Sequence, residues 1–196
     1  MIYPGSQNFR LDQPLAELPT RDAQDAAVAD LNQDGHPDLV FASSLSPDGE
    51  EAAEPASRSA PHTLSEVYLG SPRGFHPQDK ILLPTLAPHA VDTGDLNGDG
   101  YPDIVFANFS ENDFQDIHTF DVPSYIYWGT PNGFSASNRS HLQSFGAVGV
   151  ALSDLDRDGV VDVVLSNQKS GGAANGPPSI VFWGNPSHHY SEANHT

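Results

Sequence analysis

Cysteine is absent from all 196 residues. That excludes a disulfide framework and every thiolate metal site, so packing and non-thiolate ligands must hold whatever fold forms. Basic residues are scarce, with 8 Lys and Arg against 26 Asp and Glu and a formal net charge of -18. A nucleic-acid footprint needs a clustered basic face, and an anionic membrane surface would repel this chain, so neither partner is expected. No apolar run approaches the roughly 18 residues of a spanning helix, which argues against membrane insertion. The opening Met1-Ile2-Tyr3-Pro4-Gly5 lacks the basic start and apolar core of a signal peptide, and none is expected within this chain. Also missing are a Gly-x-Ser-x-Gly elbow, a Walker loop and a His-Glu-x-x-His pair, and the nine histidines are scattered. Catalysis is therefore not expected.

What the chain has instead is one acidic loop, written three times: Asp30-Leu-Asn32-Gln-Asp34-Gly35-His36-Pro-Asp38, Asp95-Leu-Asn97-Gly-Asp99-Gly100-Tyr101-Pro-Asp103 and Asp154-Leu-Asp156-Arg-Asp158-Gly159-Val160-Val-Asp162. Oxygen-bearing side chains recur at loop positions 1, 3, 5 and 9, with glycine at 6, a spacing that closes round a hard cation. Three side-chain oxygens, the position-7 carbonyl (His36, Tyr101 or Val160) and a bidentate Asp at position 9 make six ligands, which suits Ca²⁺. The spacing thus predicts three Ca²⁺ sites. Zinc, which prefers nitrogen and sulfur, is not expected there. The glycine at position 6 stands where the chain must bend sharply, with φ expected to be positive. Ten of the 26 acidic residues lie in these loops, and three bound Ca²⁺ would reduce the net charge from -18 to about -12.

An EF-hand loop opens in the same way but needs a Glu at position 12 and flanking helices. Here that position holds Phe41, Phe106 and Leu165. Each loop runs into a short β-branched segment, Asp-Leu-Val-Phe-Ala, Asp-Ile-Val-Phe-Ala or Asp-Val-Val-Leu-Ser, which reads as a strand. The loops therefore join strands. An Asx-stabilised hairpin turn without metal is the competing reading.

The repeat is larger than the loop. Asp30 to Asp95 is 65 residues and Asp95 to Asp154 is 59, and each unit carries a later aromatic-Gly turn. These turns are Tyr68-Leu-Gly70 to Gly74-Phe75, Tyr127-Trp-Gly129 to Gly133-Phe134, and Phe182-Trp-Gly184 to Tyr190, with a further copy at Tyr3-Pro-Gly5 to Phe9. In the second unit, punctuation by Gly, Pro, Asn and Asp predicts strands near His89–Leu96, Asp103–Phe109, Ser124–Gly129 and Phe134–Leu142. Periodic four-stranded antiparallel units in an all-β chain are the signature of β-propeller blades. The expected organisation is 1–25 as outer strands of a preceding blade, then blades over 26–88, 89–145 and 146–196, each with one calcium loop. Trp128 and Trp183 fall at equivalent positions and read as blade-packing residues.

The run Gly94-Asp95-Leu-Asn97-Gly-Asp99-Gly100-Tyr-Pro-Asp103-Ile-Val, followed by Tyr127-Trp-Gly129 and Gly133-Phe134, resembles the FG-GAP and VCBS repeats of integrin α-subunit propellers and many secreted bacterial proteins. The likeness spans nearly the whole chain. Phe145-Gly146 stands at the first half of the FG-GAP pattern, whereas Ala42-Ser43, Ala107-Asn108 and Ser166-Asn167 replace the Gly-Ala-Pro half. The VCBS-like branch therefore fits better. The resemblance implies Ca²⁺ held at positions 1, 3, 5 and 9 of all three loops. It also implies an extracellular or cell-surface module for recognition, adhesion and scaffolding, with a protein or glycan as partner. Two alternatives stand beside it: a non-catalytic propeller part of a secreted polysaccharide-active enzyme, and a structural subunit of a surface filament.

Strand alternation puts the 2–3 and 4–1 connections on the rim opposite the calcium loops, and the long variable segments fall there. Residues 44–64 are small, acidic and Pro-bearing and read as a mobile loop; residues 167–178 are rich in Gly, Asn and Pro. Between them, 109–123 interleaves aromatics with acids, making Phe114, His118 and Phe120 candidates to contact a sugar or peptide. Covering a blade edge is the other role open to them. Sequons at Asn108, Asn138 and Asn194 permit glycans in a eukaryotic secretory route. Because rings usually need about four to eight blades, either a longer polypeptide or self-association is expected to complete the propeller, for example two copies giving about seven blades.

Overall fold

A computed structural model describes residues 16–44, 63–110, 120–168, 176–185, 187 and 190. Among them lie eleven strands and no helix, hence no helix long and apolar enough to cross a membrane. The first sheet comprises β1 (Ala23–Ala29), β2 (Asp38–Ser43), β3 (Thr63–Tyr68) and β4 (Lys80–Thr85). A second sheet repeats it with β5 (Pro88–Gly94), β6 (Asp103–Asn108), β7 (Ser124–Tyr127) and β8 (Arg139–Leu142). The third holds β9 (Ala147–Ser153), β10 (Asp162–Asn167) and β11 (Ile180–Phe182), three strands among the described residues. Every pairing is antiparallel and each sheet runs in sequence order. This is the all-β blade architecture that the repeat predicts, and among the described residues the sheets do not close into a ring. The aromatic-Gly turn at 3–9 and most of 44–64 and 109–123 lie outside the described residues.

Register is conserved from sheet to sheet. The residue after the position-9 Asp faces the turn aromatic each time, in the pairs Leu39↔Tyr68, Ile104↔Tyr127 and Val163↔Phe182. The inner strands line up, with β5 lying against β1 on one side and β9 on the other. Burial follows from that stacking. In the middle sheet every residue of β6 is buried, because both faces are covered, and the strand reads as a continuous apolar run. In the first sheet β2 alternates between buried and half-buried residues, having only one covered face.

Two apolar cores fill the spaces between sheets. The first joins Leu31, Val40 and Val67 to Val91, Ile104 and Tyr127; the second joins Leu96, Val105 and Ile126 to Val163, Leu165 and Phe182. Hydrogen bonds stitch the same seams. Val91 N–H donates to Asp25 Oδ2 (3.1 Å) and Leu152 N–H to Asp92 Oδ2 (3.0 Å). Tyr127 O–H reaches the Pro84 carbonyl on the preceding sheet, and Tyr68 O–H reaches the Pro19 carbonyl in the same manner. Trp128 packs against the second core and donates its Nε1–H to Ser140 Oγ (3.0 Å).

Candidate metal centres

The three acidic loops connect the first two strands of each sheet and adopt one hydrogen-bonded frame. The position-1 carboxylate gathers loop amides: Asp30 accepts from Asp34 and Gly35 N–H, Asp95 from Gly98, Asp99 and Gly100, and Asp154 from Asp158 and Gly159, at 2.8–3.2 Å. Asn32, Asn97 and Asp156 each accept the amide two residues on, and Asp34, Asp99 and Asp158 accept from His36, Tyr101 and Val160 N–H. These are Asx turns laid end to end. The position-6 glycines have φ of +84° (Gly35), +92° (Gly100) and +92° (Gly159), as the bend demands.

At position 9 the side chain turns inward. Asp38, Asp103 and Asp162 are buried, and both oxygens of each accept a backbone N–H. One bond comes from position 2 of the same loop, Leu31, Leu96 or Leu155, each at 2.8 Å. The other comes from the turn glycine that follows the third strand of each sheet: Gly70 (2.6 Å), Gly129 (2.8 Å) and Gly184 (2.8 Å). Sequence reasoning missed this clamp. Its sign was the constant phase of the aromatic-Gly turn, which occurs once per acidic loop. Those glycines also allow a close approach, since a Cβ on Gly70 or Gly129 would sit 2.1 or 2.3 Å from the Pro37 or Pro102 carbonyl oxygen.

Carboxylate oxygens of Asp154, Asp156 and Asp162 all lie within 4.8 Å of one another. Asp158 stands outside that group, its Oδ1 engaged by Val160 N–H. The first two loops have Asn at the middle position, so their matching donor sets are Asp30, Asn32, Asp38 and Asp95, Asn97, Asp103. All are hard oxygen donors, and the third set concentrates charge that a cation would offset. That chemistry fits Ca²⁺. Burial pushes the Asp103 carboxyl up to about 7; amide bonds from Gly129 and Leu96 oppose the rise, and Asp99 and Asp95 add to it. Asp38 is raised by burial too, against bonds from Gly70 and Leu31, with Asp34 and Asp30 adding repulsion. Loops one and two touch, because Gln33 Nε2–H donates to the Gly100 carbonyl.

Of the other sequence candidates, Asn108 and Phe120 fall on the opposite rim. Phe120 packs edge-to-face on Phe109 (5.2 Å), which stacks on His89 (4.1 Å), while Phe114 and His118 lie outside the described residues. Asn108 is fully buried, with its Nδ2–H donated to Pro123 O (2.8 Å), surroundings that leave no room for a glycan. Asn138 is exposed, and Asn194 lies outside the described residues.

Stacked antiparallel sheets with one loop design per repeat define a propeller-like repeat protein. Residues 87–115, which include the second acidic loop and the strand after it, match the model of the FG-GAP repeat family. No curated protein matches the chain.

Proposed function

We propose that this chain is a calcium-stabilised propeller module that serves recognition or adhesion outside the cell, as a non-catalytic scaffold for a protein or glycan partner. The observation that carries the calcium reading is the convergence of Asp154, Asp156 and Asp162 on one point, within a frame that the other two loops reproduce. A shell of carboxylate, amide and carbonyl oxygens selects a hard divalent ion, and Ca²⁺ tolerates the irregular geometry that such loops supply. Family resemblance supplies the extracellular setting, where such sites bind with Kd of about 0.1–1 mM. The rim opposite the loops, where half-buried Phe109 stacks on His89 and meets Phe120 edge-on, is the surface for a partner.

Isothermal titration of the chelator-stripped chain with Ca²⁺ tests the metal reading. Three bound ions per chain are expected, and Asp95→Ala, which deletes a carboxylate of the second donor set, should remove one and lower the melting temperature in millimolar Ca²⁺. Heat signals indistinguishable from dilution, or an Asp95→Ala variant with full stoichiometry, would refute it.

A further inference from the structure

The contact between successive sheets is built from two complementary halves, and among the described residues parts of both halves recur exposed on the outer faces of the first and third sheets, beyond the place where Pro19 meets Tyr68. At the loop rim, position 2 of each loop carries a leucine. Leu31 and Leu96 are buried, at 1% and 0% exposure. Phe134, from the turn of the second sheet, packs against the core that contains Leu31, and Tyr190 from the third unit donates its O–H to the Leu96 carbonyl (3.2 Å). The equivalent Leu155 is 49% exposed.

One strand pair away the same relation holds. Leu152 of β9 lies over Gly94 of β5, its Cδ1 being 3.3 Å from where a Cβ on Gly94 would stand. Counted from the acidic loop, Leu152 corresponds to Val28 of β1, and Gly94 to Ser153 of β9. Val28 is 62% exposed and Ser153 is exposed. Thus the third sheet presents Leu155 and Ser153, the receiving half of the seam. The first sheet presents Val28 together with Phe75, the turn aromatic equivalent to Phe134 and Tyr190. Neither half needs a new kind of partner.

We propose that a second copy of this chain docks head to tail, the Val28 and Phe75 end of one copy seating on the Leu155 face of the other. The new contact continues the seam already present twice within the chain. Two copies bring at least six sheets round one axis, within the range of about four to eight that close a propeller. Such a contact is heterologous, because different surfaces meet, and it stops growing only when the ring closes. The inference rests on sheet packing and does not depend on the calcium reading.

Sedimentation equilibrium in about 0.15 M salt, where charge repulsion is screened beyond about 8 Å, tests it with two surface variants. The wild-type chain should form a dimer as its concentration rises. Leu155→Arg and Val28→Arg each spoil a different half, so each alone should be monomeric. Mixed, the two variants should recover a dimer, since one intact half from each can still meet. Both positions face solvent in the single chain, so circular dichroism melts taken at dilutions where the wild type is monomeric should match wild type. A wild-type chain that stays monomeric or grows beyond the dimer would overturn the proposal, as would a variant that associates like wild type or a mixture that does not.

Discussion

At Gly129 one backbone position meets two demands: its N–H must reach the buried Asp103 carboxylate, and its Cα must pass beside the Pro102 carbonyl oxygen. A methyl there would stand 2.3 Å from that oxygen, so Gly129→Ala has to displace the loop from the turn. Overpacking combined with a weakened charge-assisted bond should destabilise the protein by about 3 kcal/mol. Gly133→Ala is the control, having open space around it but φ +80°; strain alone costs about 1 kcal/mol. Urea denaturation of the pair checks the ratio. This clamp was hard to read in sequence because Asp103 and Gly129 are far apart in the chain, whereas the loop carboxylates announce themselves by local spacing. The left-handed residue at loop position 4 was equally hidden, because Gln33 (φ 61°) and Arg157 (φ 66°) occupy a conformation that only Gly98 advertises. Glu66 is a different case, a carboxyl inside the first sheet that no motif marks. Burial raises its pKa, opposed by the Ser43 hydroxyl, Lys80 and Arg21, and its Oε1 is enclosed without a hydrogen-bond partner. A carboxyl raised on folding favours the native state most below its unfolded pKa of about 4.3, and that contribution is lost as pH rises through the folded value. Glu66→Gln should therefore be more stable than wild type near neutral pH, the gap closing as pH falls to about 4. Denaturation at both pH values reads the difference, and a gap independent of pH would contradict it.

Among the elements, strand positions were legible where periodicity and punctuation agreed. The second and third strands of the middle sheet start where expected, at Asp103 and Ser124, each fixed by a neighbouring Pro. The fourth begins at Arg139, not Phe134, since 135–138 close a turn in which Asn138 N–H donates to Ser135 O (3.0 Å). Phe134 looked like strand because it is aromatic, but its role is to pack against the core that holds Leu31. A comparison between sheets yields a further expectation. Tyr127 sends its hydroxyl to the Pro84 carbonyl on β4 of the preceding sheet and Tyr68 to the Pro19 carbonyl, and the third repeat has Phe182 at that place. Register makes Gln143 the counterpart of Pro84, and Gln143, Phe182, His141 and Asp121 line a crevice of about 320 Å³. By the analogy of Tyr127 with Pro84, Phe182→Tyr would direct a hydroxyl toward the Gln143 backbone carbonyl. The added hydrogen bond should stabilise by about 1 kcal/mol, raising Tm by a few degrees. Calorimetry checks it, and a lowered Tm would mean that the second seam is shaped differently from the first.

For the whole molecule the decisive quantity is charge. The chain's net charge of -18 opposes close stacking of its sheets, and ten of its acids are gathered in the three loops. Two agents can relieve this, and they differ in dose. Monovalent salt screens by shortening the Debye length, from about 10 Å at 0.1 M to about 3 Å at 1 M, so its effect grows slowly over that range. Site-bound Ca²⁺ acts by mass action and saturates. With Kd of about 0.1–1 mM, 10 mM Ca²⁺ adds about 1.4–2.7 kcal/mol per site, so about 4–8 kcal/mol for three. Melting curves in chelator, in 10 mM Ca²⁺, in 10 mM Mg²⁺ and in NaCl of matched ionic strength should therefore separate. The Ca²⁺ curve should stand highest by a wide margin, and Mg²⁺ should fall well short because it keeps its waters and demands a stricter octahedron. The transition in Ca²⁺ should also stay cooperative, since Gln33 ties the first loop to the second and the Asp25 and Asp92 carboxylates tie each sheet to the next. Coincident curves in Ca²⁺ and in matched NaCl would mean that the Asx turns hold these loops by their own amide bonds, with three acidic hairpins and no ion.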